Sequence, residues 1–469
     1  MCIRDSPDGR SQALSNNHNT SFKINHAIGK KTFYEAHIFT NYTDYKSFQF
    51  KPLDLDSAIP FSSGDNFGSD EDLLLFIESP GQYQIGLNNI TVLNSNTYIL
   101  PNSNYASSLN ILGAPSSPTF SFGGSNRGHN YRYSNSLGGK FDITSQINAK
   151  HEIKSGFQYR VDKLNERIFS ILYDSNTYRI PTIAPENASP SHSYYSENAI
   201  FLSGYLQDKL EFQSFIMNLG IRYDSFDPQS THIDSLLNPE AGVIKSDKKS
   251  MWSPRIGVAY PITDEGILHF SYGHFYQMPT MRNLFLTNIF GAGLSPTIGY
   301  SDLKPQKTVM YEFGMQQQLS RFIAINGSVF YKDIRDLLAL QSINYNSPTY
   351  GPSSYAVYLN KDYSMVKGIT LSLTKRRDPQ TKTSAFIDYS YQTTEGNSVT
   401  SGSFYFNALT GEEEEKKIVP LGWDQSHVFN ATVSVTEPGV NGWGLSFIGK
   451  LSTGWPYTCL LYTSDAADE

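Results

Sequence analysis

The side chains that could act as catalysts are scattered through this chain and form no recognisable catalytic motif. No H-E-x-x-H, no G-x-S-x-G and no phosphate-binding glycine loop occurs in it. Two histidines of one predicted strand, His269 and His274, are five residues apart, so they face opposite sides of an extended chain. We therefore expect no enzyme, no metal site and no cofactor.

A second set of polar residues suits binding better than catalysis. These side chains occupy the polar positions of segments in which polar and apolar residues alternate, near the ends that lead into long loops. Two interpretations remain open: they contact a ligand or another domain, or they are the solvated, mutually paired charges that any polar-lined interior needs. The candidates are Arg160, Asp162, Arg222, Asp224, Arg255, Gln277, Arg282, Glu312 and Asp388.

The segment from Lys140 to Val161 shows the element that carries such residues. Polar residues alternate with apolar ones up to a short turn at Asn148-Ala149-Lys150, and the alternation then resumes. A strict period of two indicates a strand with one apolar and one polar face, and two such strands around a short turn form a hairpin. Strands of about 9–11 residues can cross a bilayer when tilted.

Composition favours a membrane β-barrel over a helical membrane protein. No apolar run approaches the ~18 residues that a spanning helix needs. Charged residues make up 17% of the chain, below the about 25% usual for soluble proteins, and aromatic residues make up 14%. A lipid-facing barrel is apolar only at alternate positions, which fits these values. On composition alone, a large secreted all-β protein fits them equally well.

Hairpins of this kind recur along the chain and predict about fourteen strands. Their short turns lie near residues 29, 149, 213, 263, 320, 379 and 438, and the six connections between hairpins span roughly 15 to 85 residues. The longest of these is Ser47–Asn130. Short periplasmic turns alternating with long extracellular loops are typical of outer-membrane barrels. The fold class is therefore predicted to be all-β, an antiparallel transmembrane β-barrel.

Three further groups of residues allow both a structural and a functional interpretation. Tyrosines on apolar faces predict aromatic girdles at the membrane interfaces, with ligand stacking as the alternative. The acidic run Glu412–Glu415, followed by two lysines, is a solvated loop tip or a cation site, and Phe120–Tyr133 is ordinary loop packing or a ligand contact. The tyrosines concerned are Tyr223, Tyr260, Tyr272, Tyr389 and Tyr391.

The two ends of the chain differ from everything between them. Residues 1–6 (MCIRDS) and 459–469 (CLLYTSDAADE) resemble translated sequencing adapters, and we exclude them from fold reasoning. The predicted domain is therefore a partial barrel at residues 7–458. Both cysteines lie in the excluded ends, which also carry a net charge of −3, so the domain has no cysteine and a charge of −4. Such a charge gives no reason to expect nucleic-acid binding.

Ordered segments through most of residues 21–458 resemble one family, the TonB-dependent outer-membrane receptors, in their Bacteroidota-like branch. Each segment alone is a weak signal, but their order and spacing together are specific. They include YLQDKLEF (Tyr205–Phe212), LGIRYDSFDP (Leu219–Pro228), SPRIGVAYPIT (Ser253–Thr263), SYGHFYQMPTMRNLF (Ser271–Phe285), LKPQKTVMYEFGMQQQL (Leu303–Leu319), SVFYKDIRDLL (Ser328–Leu338), VKGITLSL (Val366–Leu373), PLGWDQSHVFNATVSV (Pro420–Val435) and GWGLSFIGKLSTGWPYT (Gly442–Thr458).

The resemblance implies a Gram-negative outer-membrane protein that crosses the membrane many times and imports a scarce ligand into the periplasm. Siderophores, haem, cobalamin, oligosaccharides and peptides are the ligand classes it allows. Such receptors have 22 strands and a plugged lumen, so about fourteen of 22 strands are present here and the plug and both barrel ends are missing. The implied partners are outer-membrane lipid, the plug domain of the same full-length chain and the TonB-ExbB-ExbD energy-coupling complex. The alternative function is a passive porin-like pore or a structural, adhesive barrel.

Overall fold

The computed structural model describes most of the strand-forming chain. The described residues are 12–48, 128–170, 192–285, 297–348, 351–397, 418–437, 439 and 441–456, with the backbone of four two-residue strands at 84–85, 88–89, 172–173 and 181–182. No helix within them is long and apolar enough to span a membrane.

Fourteen long strands build the wall of the molecule, and the alternation of side chains in each explains why it is extended. Their bounds are β1 Gln12–Ile28, β2 Thr32–Phe48, β3 Gly128–Gln146, β4 His151–Ser170, β5 His192–Glu211, β6 Ile216–Asp227, β7 Lys249–Thr263, β8 Gly266–Gln277, β9 Gln306–Ser320, β10 Ile323–Ser347, β11 Gly351–Lys375, β12 Thr383–Gly396, β13 His427–Glu437 and β14 Trp443–Ser452.

The strands follow one another across a single sheet in chain order from β1 to β14. Every neighbouring pair of these strands is antiparallel. Two short strands complete the sheet: Thr297–Ile298 runs parallel to β11, and Val419–Pro420 pairs with β12. The predicted all-β, antiparallel barrel wall and its count of about fourteen strands are confirmed.

One face of this wall is apolar and exposed. Phe141 is 43% exposed, Phe157 51%, Leu206 53% and Leu371 52%, and all four lie at the apolar positions of the alternating pattern. Apolar side chains on the outside, with polar ones on the inside, are the arrangement that a transmembrane barrel needs. We call the exposed apolar side the outer face and the polar side the inner wall.

The seven short turns lie where the alternation predicted them, but one predicted long loop is wrong. The sequence pattern places one of the six long connections between hairpins at residues 339–354. Instead β10 and β11 each run for 25 residues and are joined by residues 348–350, with Ser347 paired to Gly351. The register shifts between Ile334 and Leu337, and Asp336 has φ +59°. This bulge interrupts the period of two, so the alternation alone predicts a strand end near this point.

The connection between β8 and β9 returns to the inner wall. It carries one short helix, α1 (Met281–Phe285), whose Leu284 and Phe285 are buried. These side chains and Leu303 pack against Leu164, Tyr195, Ala199, Phe226 and Met251 of β4 to β7. The register places these five on the same side as the predicted polar candidates, so the inner wall becomes apolar towards the long-loop end. A second cluster, around Tyr355, joins the loop after β6 to β10 and β11.

Candidate functional site

Strand register brings four of the predicted site residues together on the inner wall. Arg160 of β4 lies opposite Phe201 of β5, and Phe201 lies opposite Phe226 of β6. Asp224, also of β6, lies opposite Met251 of β7. As a result Arg160, Arg222, Asp224 and Arg255 line one pocket of about 220 Å³ that also includes Phe201, Phe275 and Met278. We call this the arginine pocket.

Two of the arginines in the pocket are paired to carboxylates two residues along the same strand. Arg160 Nε lies 2.9 Å from Asp162 Oδ1. Arg222 binds Asp224 through Nη2 at 2.7 Å from Oδ1 and Nε at 2.8 Å from Oδ2. Residues i and i+2 share one face of a strand, so this pairing is built into the sequence spacing. For these four residues the arrangement fits the mutually paired interpretation.

Arg255 is the exception within the pocket. Among the described residues no carboxylate lies within ion-pair distance of its guanidinium, which sits 4.8 Å from the ring centre of Phe275. Arg160 also lies over a ring, 4.1 Å from the centre of Phe201. Three guanidinium groups therefore face two carboxylates, and aromatic rings hold two of the cations in place. The pocket can accept an anionic group.

The remaining predicted residues lie elsewhere. Gln277 ends β8 opposite Gln306, and Arg282 lies on α1. Glu312 of β9 has its carboxylate 3.9 Å from His269 Nε2. Asp388 of β12 lies between Ser372 and Asn430 of the neighbouring strands. These four are distributed along the wall and do not form one site with the arginine pocket.

The two histidines of β8 have separate surroundings. His269 faces Glu312, whereas His274 contacts the hydroxyl of Tyr272 at 2.7 Å. Within the part of the chain that the structure describes, no group of three metal-ligating side chains comes together.

The packing of α1 against the strands beside the arginine pocket is the feature that the sequence did not predict. The α1 segment packs Leu284 and Phe285 into the cluster that borders the pocket, with the rings of Phe285 and Tyr195 6.4 Å apart. The Tyr195 hydroxyl donates a 2.5 Å hydrogen bond to the buried carboxylate of Glu166. Burial, reinforced by this bond, raises the pKa of Tyr195 well above its ordinary value. The apolar pair Leu284-Phe285 within the connection was the available signal in the sequence, but it does not indicate which strands the pair packs against.

An aromatic cluster occupies the long-loop end of the outer face. His129 stacks on Phe169 with ring centres 4.7 Å apart and interplanar angle 2°, and His192 lies 5.5 Å from the same ring. These residues are at the far ends of 19- and 20-residue strands, beyond the about 9–11 residues that cross a bilayer. Burial lowers the pKa of His129 to about 4 and raises that of Tyr131 to about 12.

Several sequence predictions stay predictions. The acidic run 412–415 and most of residues 120–133 lie outside the described residues. The tyrosines expected in aromatic girdles do make ring contacts on the wall, such as Tyr223 with Trp252 at 4.8 Å and Tyr272 with Tyr311 at 5.0 Å.

Comparison with known families now decides the class. The family model for the TonB-dependent receptor-like β-barrel matches residues 6–468. The chain belongs to this TonB-dependent receptor family. The family consists of transporters and receptors. The matched span enters both end segments that were predicted to be adapter-derived, but those segments lie outside the described residues and their origin remains a prediction.

Relatives of this receptor chain include a haem receptor and several solved transporters. TonB-dependent heme receptor A of Haemophilus ducreyi is 24% identical over 340 residues, covering 66% of this chain and 43% of that protein. The outer membrane transporter YddB from Escherichia coli has a TM-score of 0.57 at 12% identity, covering 91% of this chain and 49% of that one. The copper transporter OprC has a TM-score of 0.53 at 12% identity, with coverages of 92% and 52%.

A third solved relative is BauA, the ferric preacinetobactin receptor from Acinetobacter baumannii, with a TM-score of 0.51 at 12% identity, covering 94% of this chain and 52% of that one. This chain therefore spans about half the length of the relatives it matches. The structural likenesses show a shared fold. The Bacteroidota-like branch stays a prediction.

Proposed function

We propose that this chain forms part of the barrel wall of an outer-membrane receptor that imports a scarce ligand into the periplasm. The observation that carries the proposal is the wall itself: antiparallel strands with an exposed apolar outer face and a charged inner wall, against which α1 packs. A polar interior shielded from lipid provides a path for a solute that the bilayer would exclude.

The partners follow from the family. The outer face contacts outer-membrane lipid, and the plug domain of the full-length chain fills the space inside the wall. Energy for release into the periplasm comes through the TonB-ExbB-ExbD complex. The site residues proposed to line the ligand path are the arginine pocket with Asp162, and Arg282, Gln277, Glu312 and Asp388 along the rest of the wall.

Among the ligand classes, those that carry a metal ion have the most support. The names of three relatives refer to haem, copper and ferric preacinetobactin. A haem, cobalamin or siderophore ligand is therefore favoured over an oligosaccharide or a peptide. The charged inner wall is compatible with each of these metal-bearing ligands.

The test is uptake by the full-length receptor in cells with and without TonB, using haem and ferric siderophores as probes. Import that disappears without TonB supports the proposal. The alternative, a passive or structural barrel, predicts that uptake does not depend on TonB and that the purified protein conducts ions through liposomes at all times. Constitutive conductance with TonB-independent uptake would remove the transport proposal.

A further inference from the structure

Beside the arginine pocket, the inner wall has a larger depression that the ion pairs do not fill. It has a volume of about 510 Å³ and extends from β4 to β9. Side chains of Lys154, Asn218, Arg222 and Arg255 surround it, together with the backbone of Gly220 and Gly257. We call it the Arg255 depression.

Two glycines form the floor of this depression although the space around them accepts a side chain. A Cβ atom at Gly220 would lie 3.6 Å from the carbonyl oxygen of Leu206, and one at Gly257 would lie 3.8 Å from Asn218 Cβ. Both distances are ordinary van der Waals contacts. Gly220 lies directly opposite Arg255, and Gly257 lies two residues further along β7. The missing side chains therefore leave open the space beside the Arg255 guanidinium.

The charges around the depression are unequal. Arg222 is neutralised by Asp224, and Lys154 Nζ lies 3.0 Å from Glu152 Oε1. In the described part of the chain, Arg255 has no such carboxylate, while Phe275 holds its guanidinium from one side. A guanidinium keeps its charge at all relevant pH values and presents a fork of donors that matches a carboxylate.

We propose that the Arg255 depression is a seat for a carboxylate group that enters the interior of the barrel. The guanidinium supplies a two-point hydrogen bond, and the glycine floor leaves room for the group that carries the acid. This inference rests on the proposed transport function, which allows two sources of the carboxylate. It belongs either to an imported ligand or to an Asp or Glu side chain of the segment of the full-length chain that fills the interior.

The first measurement is the affinity of the purified full-length receptor for citrate in detergent, determined by isothermal titration calorimetry. Arg255→Gln removes the charge, and Gly257→Leu fills the depression. If the acid is a soluble ligand, both changes weaken citrate binding by at least about tenfold, as expected for a charge-assisted hydrogen bond. The matched control is Gly139→Leu, because Gly139 lies on the outer face with no atom within 4 Å of its Cβ position, and this change leaves binding as it was.

The second measurement identifies an acid of the chain itself. Arg255→Lys places an amine in the seat, and a carbodiimide then joins that amine to a contacting carboxylate as an amide, which peptide mass spectrometry locates. A cross-link that forms in Arg255→Lys and is lost in the Arg255→Lys, Gly257→Leu double variant assigns the seat to the chain's own acid. Citrate binding unaffected by both substitutions, together with no such cross-link, overturns the proposal. Neither measurement involves TonB or transport, so a failed seat and a failed transport function are distinguishable.

Discussion

At the scale of single residues, the commonest kind of ion pair on the described strands joins positions i and i+2 of one strand. Residues two apart lie on one face of the same strand, so each pair forms without any help from the rest of the fold. Pairs of this exposure contribute about 0–1 kcal/mol each. They neutralise the wall more than they stabilise it, so Arg255, which has no carboxylate partner among the residues that the structure describes, is the more informative residue. The pairs are Lys46–Asp44, Lys140–Asp142, Lys154–Glu152, Arg160–Asp162, Lys209–Glu211, Arg222–Asp224 and Arg335–Asp333.

The two faces of a strand predict opposite responses to an added charge. Leu371 on the outer face of β11 is 52% exposed, whereas Ser372 faces the inner wall opposite Asn326. We expect Leu371→Arg to lower the free energy of unfolding in lipid by about 2–4 kcal/mol, because the charge must enter hydrocarbon. Ser372→Arg should cost much less. Equal losses for the two variants, measured by urea titration of the full-length receptor in liposomes, would refute the assignment of the faces.

At the scale of elements, the strands are longer than a membrane requires. β10 and β11 each have 25 residues, a contour of about 80 Å, while a tilted crossing takes about 9–11 residues. The residues of β10 and β11 that are not needed for the crossing extend the wall beyond the bilayer at the long-loop end. There Asn360 joins β11 to the chain before β9: its side-chain amide donates to the carbonyl of Lys304 at 3.0 Å and to that of Asp336 at 2.9 Å. The extended wall is where the α1 segment is anchored.

Anchoring of the α1 segment can be tested through Phe285, which is 4% exposed. We expect Phe285→Ala to weaken docking of the segment by about 3–5 kcal/mol, because burial is lost and a cavity remains. Hydrogen exchange should then speed up in peptides that contain Met281–Phe285, and not in the membrane strands. Leu237→Ala is the control, since Leu237 lies in a loop of the same end and is 73% exposed. Unchanged exchange in Phe285→Ala would mean that the apolar contact does not hold the segment.

At the scale of the whole molecule, the sheet from β1 to β14 has two edges among the described residues. Every residue of β1 is exposed, and β14 is exposed at nine of its ten positions. An edge strand presents unpaired backbone groups, which hydrocarbon does not tolerate. The family barrel solves this by closing on itself with further strands.

A polypeptide limited to residues 12–456 should therefore fail to insert into lipid as a monomer. We expect aggregation on refolding into liposomes and no shift in electrophoretic mobility between unheated and boiled samples. The full-length receptor, refolded in parallel, should show that shift. A monomeric, heat-modifiable band from the shorter polypeptide would contradict the expectation that the edges need partners.

Local sequence patterns were sufficient to predict the strands of the barrel wall. The period of two and the short turns predicted fourteen strands in the right order, because both are properties of neighbouring residues. The prediction failed where a local irregularity interrupted the period of two. The bulge at Asp336 breaks the alternation, so β10 was predicted to be too short, although its pairing with β11 continues to Ser347. Sequence alone also placed Arg160, Arg222 and Arg255 on polar faces without showing that they share a pocket.

By itself, then, the sequence determined the strands, their faces, the ion pairs within each strand and the family, since each depends on residues close together or on an ordered series of segments. The tertiary structure decided which polar residues meet, which arginine of the arginine pocket has no carboxylate partner among the described residues, and where α1 packs. Those outcomes depend on the register between strands and on a connection that returns across the wall. Both are set by packing between residues far apart in the chain, which no local pattern records.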